Sequence, residues 1–101
     1  MALFPLPAPS GIYSLRFYQT GTATANYTDN QWQFTLPDDA TKQGWSKGIR
    51  IVAATGASLT YSFDGTNTHG TLGSAETVMY LDRYEAGITI KGSGNFQIEA
   101  W

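Results

Sequence analysis

The chain has no cysteine, few charges and no long apolar run, and each absence excludes a class of protein. Without cysteine there is no disulfide scaffold, no thiolate-bound zinc and no thiol nucleophile. Charged residues make up 14% of the 101 residues, whereas roughly 25% is usual in soluble domains. The net charge is −2 and Lys and Arg form no cluster, so we expect no nucleic-acid partner. No segment approaches the roughly 18 apolar residues of a membrane span, so we expect no membrane partner either.

The low charge and the N-terminus both bear on where the protein works. The first residues lack the basic start and apolar core of a signal peptide, so we expect synthesis in a cytosol and retention there until assembly or lysis. A surface with few charges is less well solvated than most, which favours a chain that functions in contact with neighbouring proteins.

Residues 1–10 combine alternating prolines with the apolar side chains of Leu3, Phe4 and Leu6. Alternating prolines impose an extended backbone that is poor in ladder hydrogen bonds. Such a segment is either a leader without fixed structure or an apolar arm that docks on its own domain or on a neighbouring subunit. We favour the arm, because exposed apolar side chains without a partner are a liability.

Residues 11–101 are predicted to form a single all-β domain. Leu59, Tyr61 and Phe63 share one face of a segment whose other face carries Thr60 and Ser62, which is typical of a half-buried strand. Seven or eight short strands follow one another at intervals of about 8 to 12 residues, the pattern of a small antiparallel β-sandwich or jelly roll. The clearest of them cover residues 12–18, 31–36, 47–54, 59–63, 76–81, 88–90 and 95–101.

Three connections between these strands are also predicted. Residues 38–43 are expected to form one helical turn closed by Gly44. The turn formers in residues 64–73 predict a loop, and Gly92-Ser93-Gly94 predicts a tight turn before the last strand.

Two polar features raise the question of catalysis or metal binding. His69 is the only histidine, which is too few nitrogen ligands for a zinc site, and no nucleophile-elbow pattern accompanies it. We expect a structural or exposed imidazole. The segment Asp64-Gly65-Thr66-Asn67-Thr68 has oxygen atoms at alternate positions, as calcium loops do, but it lacks their closing Glu. It is first of all a turn, because Gly accepts positive φ at little cost.

The aromatic side chains favour either sugar binding or subunit contact. A sugar site needs an exposed aromatic ring beside polar groups. Trp45 is the best candidate, because it lies in a predicted loop, whereas Trp32 alternates with Phe34 and is expected in the core. Protein interfaces favour the same aromatic residues.

Charge is concentrated in Asp82-Arg83-Tyr84-Glu85, which is either a solvated loop or a contact between subunits. Trp101 alternates away from the face of Phe96 and Ile98, so we expect it to cap the sheet edge or to meet a neighbour. The residues that we expect at a partner interface are Leu3, Phe4, Leu6, Trp45, Arg83, Tyr84 and Trp101.

Three segments in the second half resemble small virion proteins of tailed bacteriophages. They are the strand, turn and loop of residues 61–70, the segment Arg83-Tyr84-Glu85-Ala86-Gly87-Ile88, and the terminus Phe96-Gln97-Ile98-Glu99-Ala100-Trp101. The resemblance covers about the last 50 residues, while the first half matches no family.

The resemblance implies a β-sandwich that works in many copies as a capsid decoration (cement) protein, or else as a neck or tail component. It implies no enzyme activity and no cofactor, a location in the virion after synthesis in the host cytoplasm, and the major capsid protein or other virion proteins as partners. A homo-oligomer is expected, with a trimer favoured. The alternative from the residues themselves is a carbohydrate-binding module.

Deleting residues 1–10 is expected to weaken assembly more than folding, because the arm supplies apolar contacts outside the sandwich. Thermal unfolding of the truncated chain and its incorporation into particles measure the two effects. Unchanged incorporation would contradict the arm hypothesis.

Overall fold

The fold is described by a computed structural model for residues 17–36 and 39–101, apart from the side chain of Thr28. The arm at residues 1–10, with Leu3, Phe4 and Leu6, lies outside the described residues. Nine strands and one short 3₁₀ turn, Tyr27–Asp29, make up the regular structure of the described part. The strands are β1 (Phe17–Ala23), β2 (Gln31–Gln33), β3 (Thr35–Leu36), β4 (Asp39–Gln43), β5 (Gly48–Ala53), β6 (Ser58–Ser62), β7 (Gly70–Leu72), β8 (Thr77–Leu81) and β9 (Gly87–Ala100).

Strand β9 belongs to both halves of one curled antiparallel sheet. Its first half pairs with β2 on one side and β6 on the other, and β7 extends that half beyond β6. Its second half lies between β1 and β5, with β8 outside β5. Strands β3 and β4 form a separate small hairpin. The prediction of a small all-β, sandwich-like domain is confirmed.

The inner faces of both halves contribute to one hydrophobic core. Ile49, Ile51 and Ile98 are fully buried on the β1–β9–β5–β8 half, and Leu59 and Ile90 are equally buried on the other half. Each such side chain stabilises the fold by roughly 1.5–3 kcal/mol through the apolar surface that it removes from water. Ile49 and Ile51 of β5 and Ile98 of β9 alternate with the more exposed Arg50, Val52 and Glu99, as expected in half-buried strands.

Three predicted connections are wrong. Residues 39–43 form strand β4 and not a helical turn, because they pair with β3 through Thr35 and Gln43. The predicted loop at residues 64–73 contains strand β7, which pairs with β6. Gly92-Ser93-Gly94 does not reverse the chain: residues 87–100 form one strand that bends there.

The bend in β9 requires glycine at Gly94. Its φ is +93°, a backbone conformation that residues with a side chain rarely adopt. A Cβ at Gly94 would lie 2.6 Å from the Cα of Ala57. Gly92 is also in the positive-φ region, where a Cβ would collide with the carbonyl oxygen of Ser58. Such bulged glycines bend a strand without ending it.

No helix among the described residues is long and apolar enough to cross a membrane.

Gly94→Ala is expected to destabilise the fold by more than Gly56→Ala, which is a matched control. Gly56 has a φ of +84° and open space around its Cα, so alanine there adds only backbone strain of roughly 1–2 kcal/mol. Alanine at Gly94 adds the collision with Ala57 to the same strain. Urea unfolding of both variants measures the difference, and equal losses would contradict the role of Gly94 in the bend.

Candidate interaction surface

The outer face of the β1–β9–β5–β8 half carries a cross-strand row of four side chains. The register of the three strand pairs aligns Tyr18 of β1, Glu99 of β9, Arg50 of β5 and Met79 of β8. In β9 and β5 they alternate with buried core residues, and in β1 and β8 with the partly buried Phe17, Val78 and Tyr80, which pack against the core. All four side chains therefore point away from the core. The next row toward the end of β9 holds Leu81 opposite Gly48.

The large apolar side chains on this face lie on its two outer strands. Tyr18 is 63% exposed on β1, and Met79 and Leu81 are 51% and 68% exposed on β8. Scattered single apolar residues are normal on protein surfaces, but neighbouring ones on an open sheet mark contact sites. We call this surface, made of Tyr18, Arg50, Met79, Leu81 and Glu99 together with Trp101, the outer face.

Trp101 completes the outer face at the end of β9. Its backbone N–H donates to the Gly48 carbonyl oxygen at 3.0 Å, and its own carbonyl oxygen accepts from the N–H of Gly48 at 2.9 Å and of Lys47 at 2.5 Å. The indole lies over Gly48, where a Cβ would come within 2.7 Å of the ring. Trp101 therefore continues the β9–β5 pair by one residue. Because β9 and β5 are inner strands of this half, the partly exposed ring does not cap a sheet edge, and its contact with a neighbour stays a prediction. The register places Gly48 between Trp101 and Leu81.

The charges in the middle of the outer face neutralise each other. Arg50 Nη1 donates to Glu99 Oε2 at 2.9 Å, and Gln97 Nε2 donates to the same oxygen at 2.6 Å. About a third of each charged side chain is exposed. An ion pair this exposed contributes roughly 0–1 kcal/mol to stability, so its main effect is to fix where positive and negative charge lie.

Arg83 makes its contacts inside the chain. Its guanidinium lies 4.5 Å from the ring centroid of Phe63 and 5.2 Å from that of Tyr80. Its Nε lies 2.6 Å from Glu85 Oε2, although the N–H does not point at that oxygen. The charged segment is thus folded onto the domain, and a contact of Arg83 with another subunit stays a prediction.

Trp45 and Tyr84 lie on two segments that buried Ser46 holds together. Ser46 Oγ donates to the carbonyl oxygen of Arg83 and accepts from the N–H of Glu85, both at 3.1 Å. The Ser46 N–H donates to the Glu85 carbonyl oxygen at 2.9 Å. Trp45 is 49% exposed and Tyr84 55% exposed, so both aromatic side chains are accessible. Their place at an interface stays a prediction.

The Asp64 carboxylate is occupied by hydrogen-bond donors of its own turn. It accepts from the backbone N–H groups of Thr66 and Asn67, both at 2.8 Å, from Asn67 Nδ2 at 2.9 Å and from Ser62 Oγ at 2.9 Å. The Asn67 N–H, followed by that of Thr66, holds the pKa of Asp64 well below its usual range. These four N–H and O–H donors make the carboxylate the group that closes the turn.

His69 closes the other side of the same hairpin. Its Nδ1 accepts the backbone N–H of Phe63 at 3.0 Å, and its ring packs against the Phe63 ring with centroids 5.2 Å apart. The imidazole therefore has a structural role. Within residues 17–36 and 39–101, no group of three or more His, Asp or Glu side chains is placed to hold a metal ion.

Tyr61 and Tyr80 form a polar contact at the edge of the core. Their hydroxyl oxygens are 2.6 Å apart, and their rings meet edge to face. Burial, helped by the Tyr80 hydroxyl, raises the pKa of Tyr61 above its usual range, so its hydroxyl stays protonated.

Five of the six outer-face residues, all except Trp101, were not expected at an interface. Tyr18, Met79 and Leu81 had a signal in the sequence, because each alternates away from an apolar neighbour that packs on the core. What the sequence lacked was the strand order that brings β1 and β8 into one sheet.

Searches of protein-family models, of curated proteins and of solved structures found no match to this chain.

The Asp64→Asn variant is expected to lose less stability in acid than the unmodified chain. A carboxyl whose pKa is lowered by folding stabilises the fold above about pH 4, its unfolded pKa, and this contribution disappears as the pH falls through the lowered pKa. Asparagine does not titrate, so this part of the acid sensitivity should be absent.

Thermal unfolding midpoints measured from neutral to strongly acidic pH test this. Asp82→Asn is the control, because the Asp82 carboxylate makes no hydrogen bond within the described residues. An unchanged acid slope for Asp64→Asn would show that the turn does not depend on the ionised carboxylate.

Proposed function

We propose that the chain is a structural protein of a tailed-bacteriophage virion, acting as a capsid decoration protein that binds the capsid shell in many copies. The proposal starts from the resemblance of residues 61–70, 83–88 and 96–101 to small virion proteins of these phages. It assigns the major capsid protein as partner, a homo-oligomer with three copies favoured, and no enzyme activity.

The observation that carries this proposal is the apolar content of the outer face. Tyr18, Met79 and Leu81 are more than half exposed, and the charges that the described residues place between them, Arg50 and Glu99, are paired with each other. When another protein covers such a face, few unpaired charges lose their hydration, and the burial of apolar surface stabilises the complex.

Many copies make such a contact strong even when one contact is weak. Once one copy of a linked assembly is bound, the others bind as intramolecular events at high effective concentration. A decoration protein needs this property, because it must hold many equivalent sites on a shell. The mechanism is passive: bound copies bridge shell subunits and resist internal pressure.

Immunogold labelling of purified phage particles that contain the chain tests its location. We expect label over the whole capsid surface. Label confined to the junction of head and tail, or to the tail, would favour a neck or tail component instead, and absence of the chain from particles would overturn the proposal.

Leu81→Asp is expected to reduce the number of copies per particle while leaving the fold stable, because a charge at this exposed position opposes burial against a partner. Thr71→Asp, at an exposed position of β7 in the other half, is the matched control. Quantitative gel analysis of purified particles gives the copy number. Equal incorporation of both variants would exclude the outer face as the docking surface.

A further inference from the structure

The outer edge of β8 has the composition of a strand that can pair with another strand. Among the described residues β8 pairs only with β5, and its five residues, Thr77–Leu81, include no charge and no proline. Edge strands often carry charged residues or proline, which discourage pairing with other chains. Strand β8 has neither.

The hydrogen-bond pattern shows which backbone groups of β8 point outward. The Ala53 N–H donates to the Glu76 carbonyl oxygen, which marks a hydrogen-bonded pair of the β5–β8 ladder. In an antiparallel ladder such pairs recur at every second residue, so Val78 and Tyr80 also bond to β5. The N–H and C=O groups of Met79 therefore point to the open edge.

Strand β1 forms the opposite edge of the same half and also carries no charge. Among the described residues it pairs only with β9. Three successive antiparallel pairings separate β1 from β8, so the two strands run in opposite directions. A β1 strand placed beside β8 in a continued sheet would therefore be antiparallel to it.

We propose that the open edge of β8 pairs with the open edge of β1 in a second copy of this chain, joining the copies head to tail. The inference rests on the proposed function for its many-copy assembly and specifies the contact between copies. It places Met79 of one copy beside Tyr18 of the next, a contact of methionine with an aromatic ring that proteins favour.

Charge complementarity favours this arrangement over a two-fold one. Along the row, Arg50 is the charge nearest to β8 and Glu99 is the charge nearest to β1. Head-to-tail pairing brings Arg50 of one copy toward Glu99 of the next, whereas β8 pairing with β8 would bring Arg50 toward Arg50. At three strand spacings, about 14 Å, salt weakens this interaction, so it biases the choice of partner edge at low ionic strength and adds little affinity.

Head-to-tail pairing also covers both outer edges of the β1–β9–β5–β8 half with one kind of contact. Such contacts close into a ring when the rotation between copies divides a full turn, and otherwise form a filament. The trimer proposed above corresponds to a closed ring of three copies. A two-fold β8 dimer would leave both uncharged β1 edges open.

Cysteine cross-linking tests the contact directly, because the chain contains no cysteine. We expect the Tyr18→Cys, Met79→Cys double variant to give covalent species of three chains with a short bismaleimide, which also tolerates a two-residue shift in register. Each single variant should give none. Covalent dimers from Met79→Cys alone would establish a two-fold contact and overturn the proposal.

The matched control is the Thr66→Cys, Met79→Cys variant, whose first cysteine lies in the exposed hairpin of the other half. Equal cross-linking of this control would mean random collision and would overturn the proposal. So would a monomeric mass for the unmodified chain at high concentration.

Met79→Pro tests the role of the edge backbone. Proline removes the N–H that points to the open edge and leaves the ladder to β5 intact, so oligomers should be lost while the fold persists. Met79→Leu should keep the oligomer. If the proline variant does not fold, Met79→Lys places a charge at the same edge and is also expected to abolish the oligomer.

The outcomes separate this contact from the proposed function. A chain that forms rings but does not bind phage capsids refutes the decoration role and leaves the edge contact standing. A chain that binds capsids as a monomer supports the decoration role and refutes the contact between copies.

Discussion

The bend of β9 is the constraint on which the rest of the fold depends. Ser93 of β9 pairs with Ser58 of β6, and the next residue, Gly94, pairs with Ala23 of β1. The chain thus passes from one half of the sheet to the other within one residue. Both halves can then contribute to a shared core, and no connecting loop is needed between them. The bend is possible only because Gly94 has no Cβ to collide with Ala57.

The same arrangement produces an open sheet face with its apolar side chains at the edges. The second half of β9 and its neighbour β5 hold the paired charges Glu99 and Arg50, while Tyr18, Met79 and Leu81 lie on the outer strands. Lateral association of sheets uses edge strands, so the distribution suits contact between copies. The proposed docking on a capsid shell and the proposed pairing between copies would thus use adjacent parts of one surface.

Alternation of apolar and polar residues was sufficient to predict the fold class and much of the core. Ile49 and Ile51 alternate with Arg50 and Val52 in β5, Ile98 shares a face with Phe96 in β9, and all three isoleucines are fully buried. The reason is local: successive side chains of a strand point to opposite sides, so the inner face is visible in the sequence without knowledge of the partner strand. The same alternation turned Trp101 away from the core, and it lies over Gly48 on the outer face.

Tertiary structure alone decided which strands are neighbours and what the glycines do. Gly92-Ser93-Gly94 resembles a tight turn in sequence, because positive φ serves a turn and a bend equally well, and only the strands beside it distinguish the two. The outer face likewise joins Tyr18 and Met79, 61 residues apart in sequence, through two intervening strands. Strand order depends on long-range packing, whereas burial of a face depends on neighbouring residues. For this reason the core was predictable from the sequence and the composition of the outer face was not.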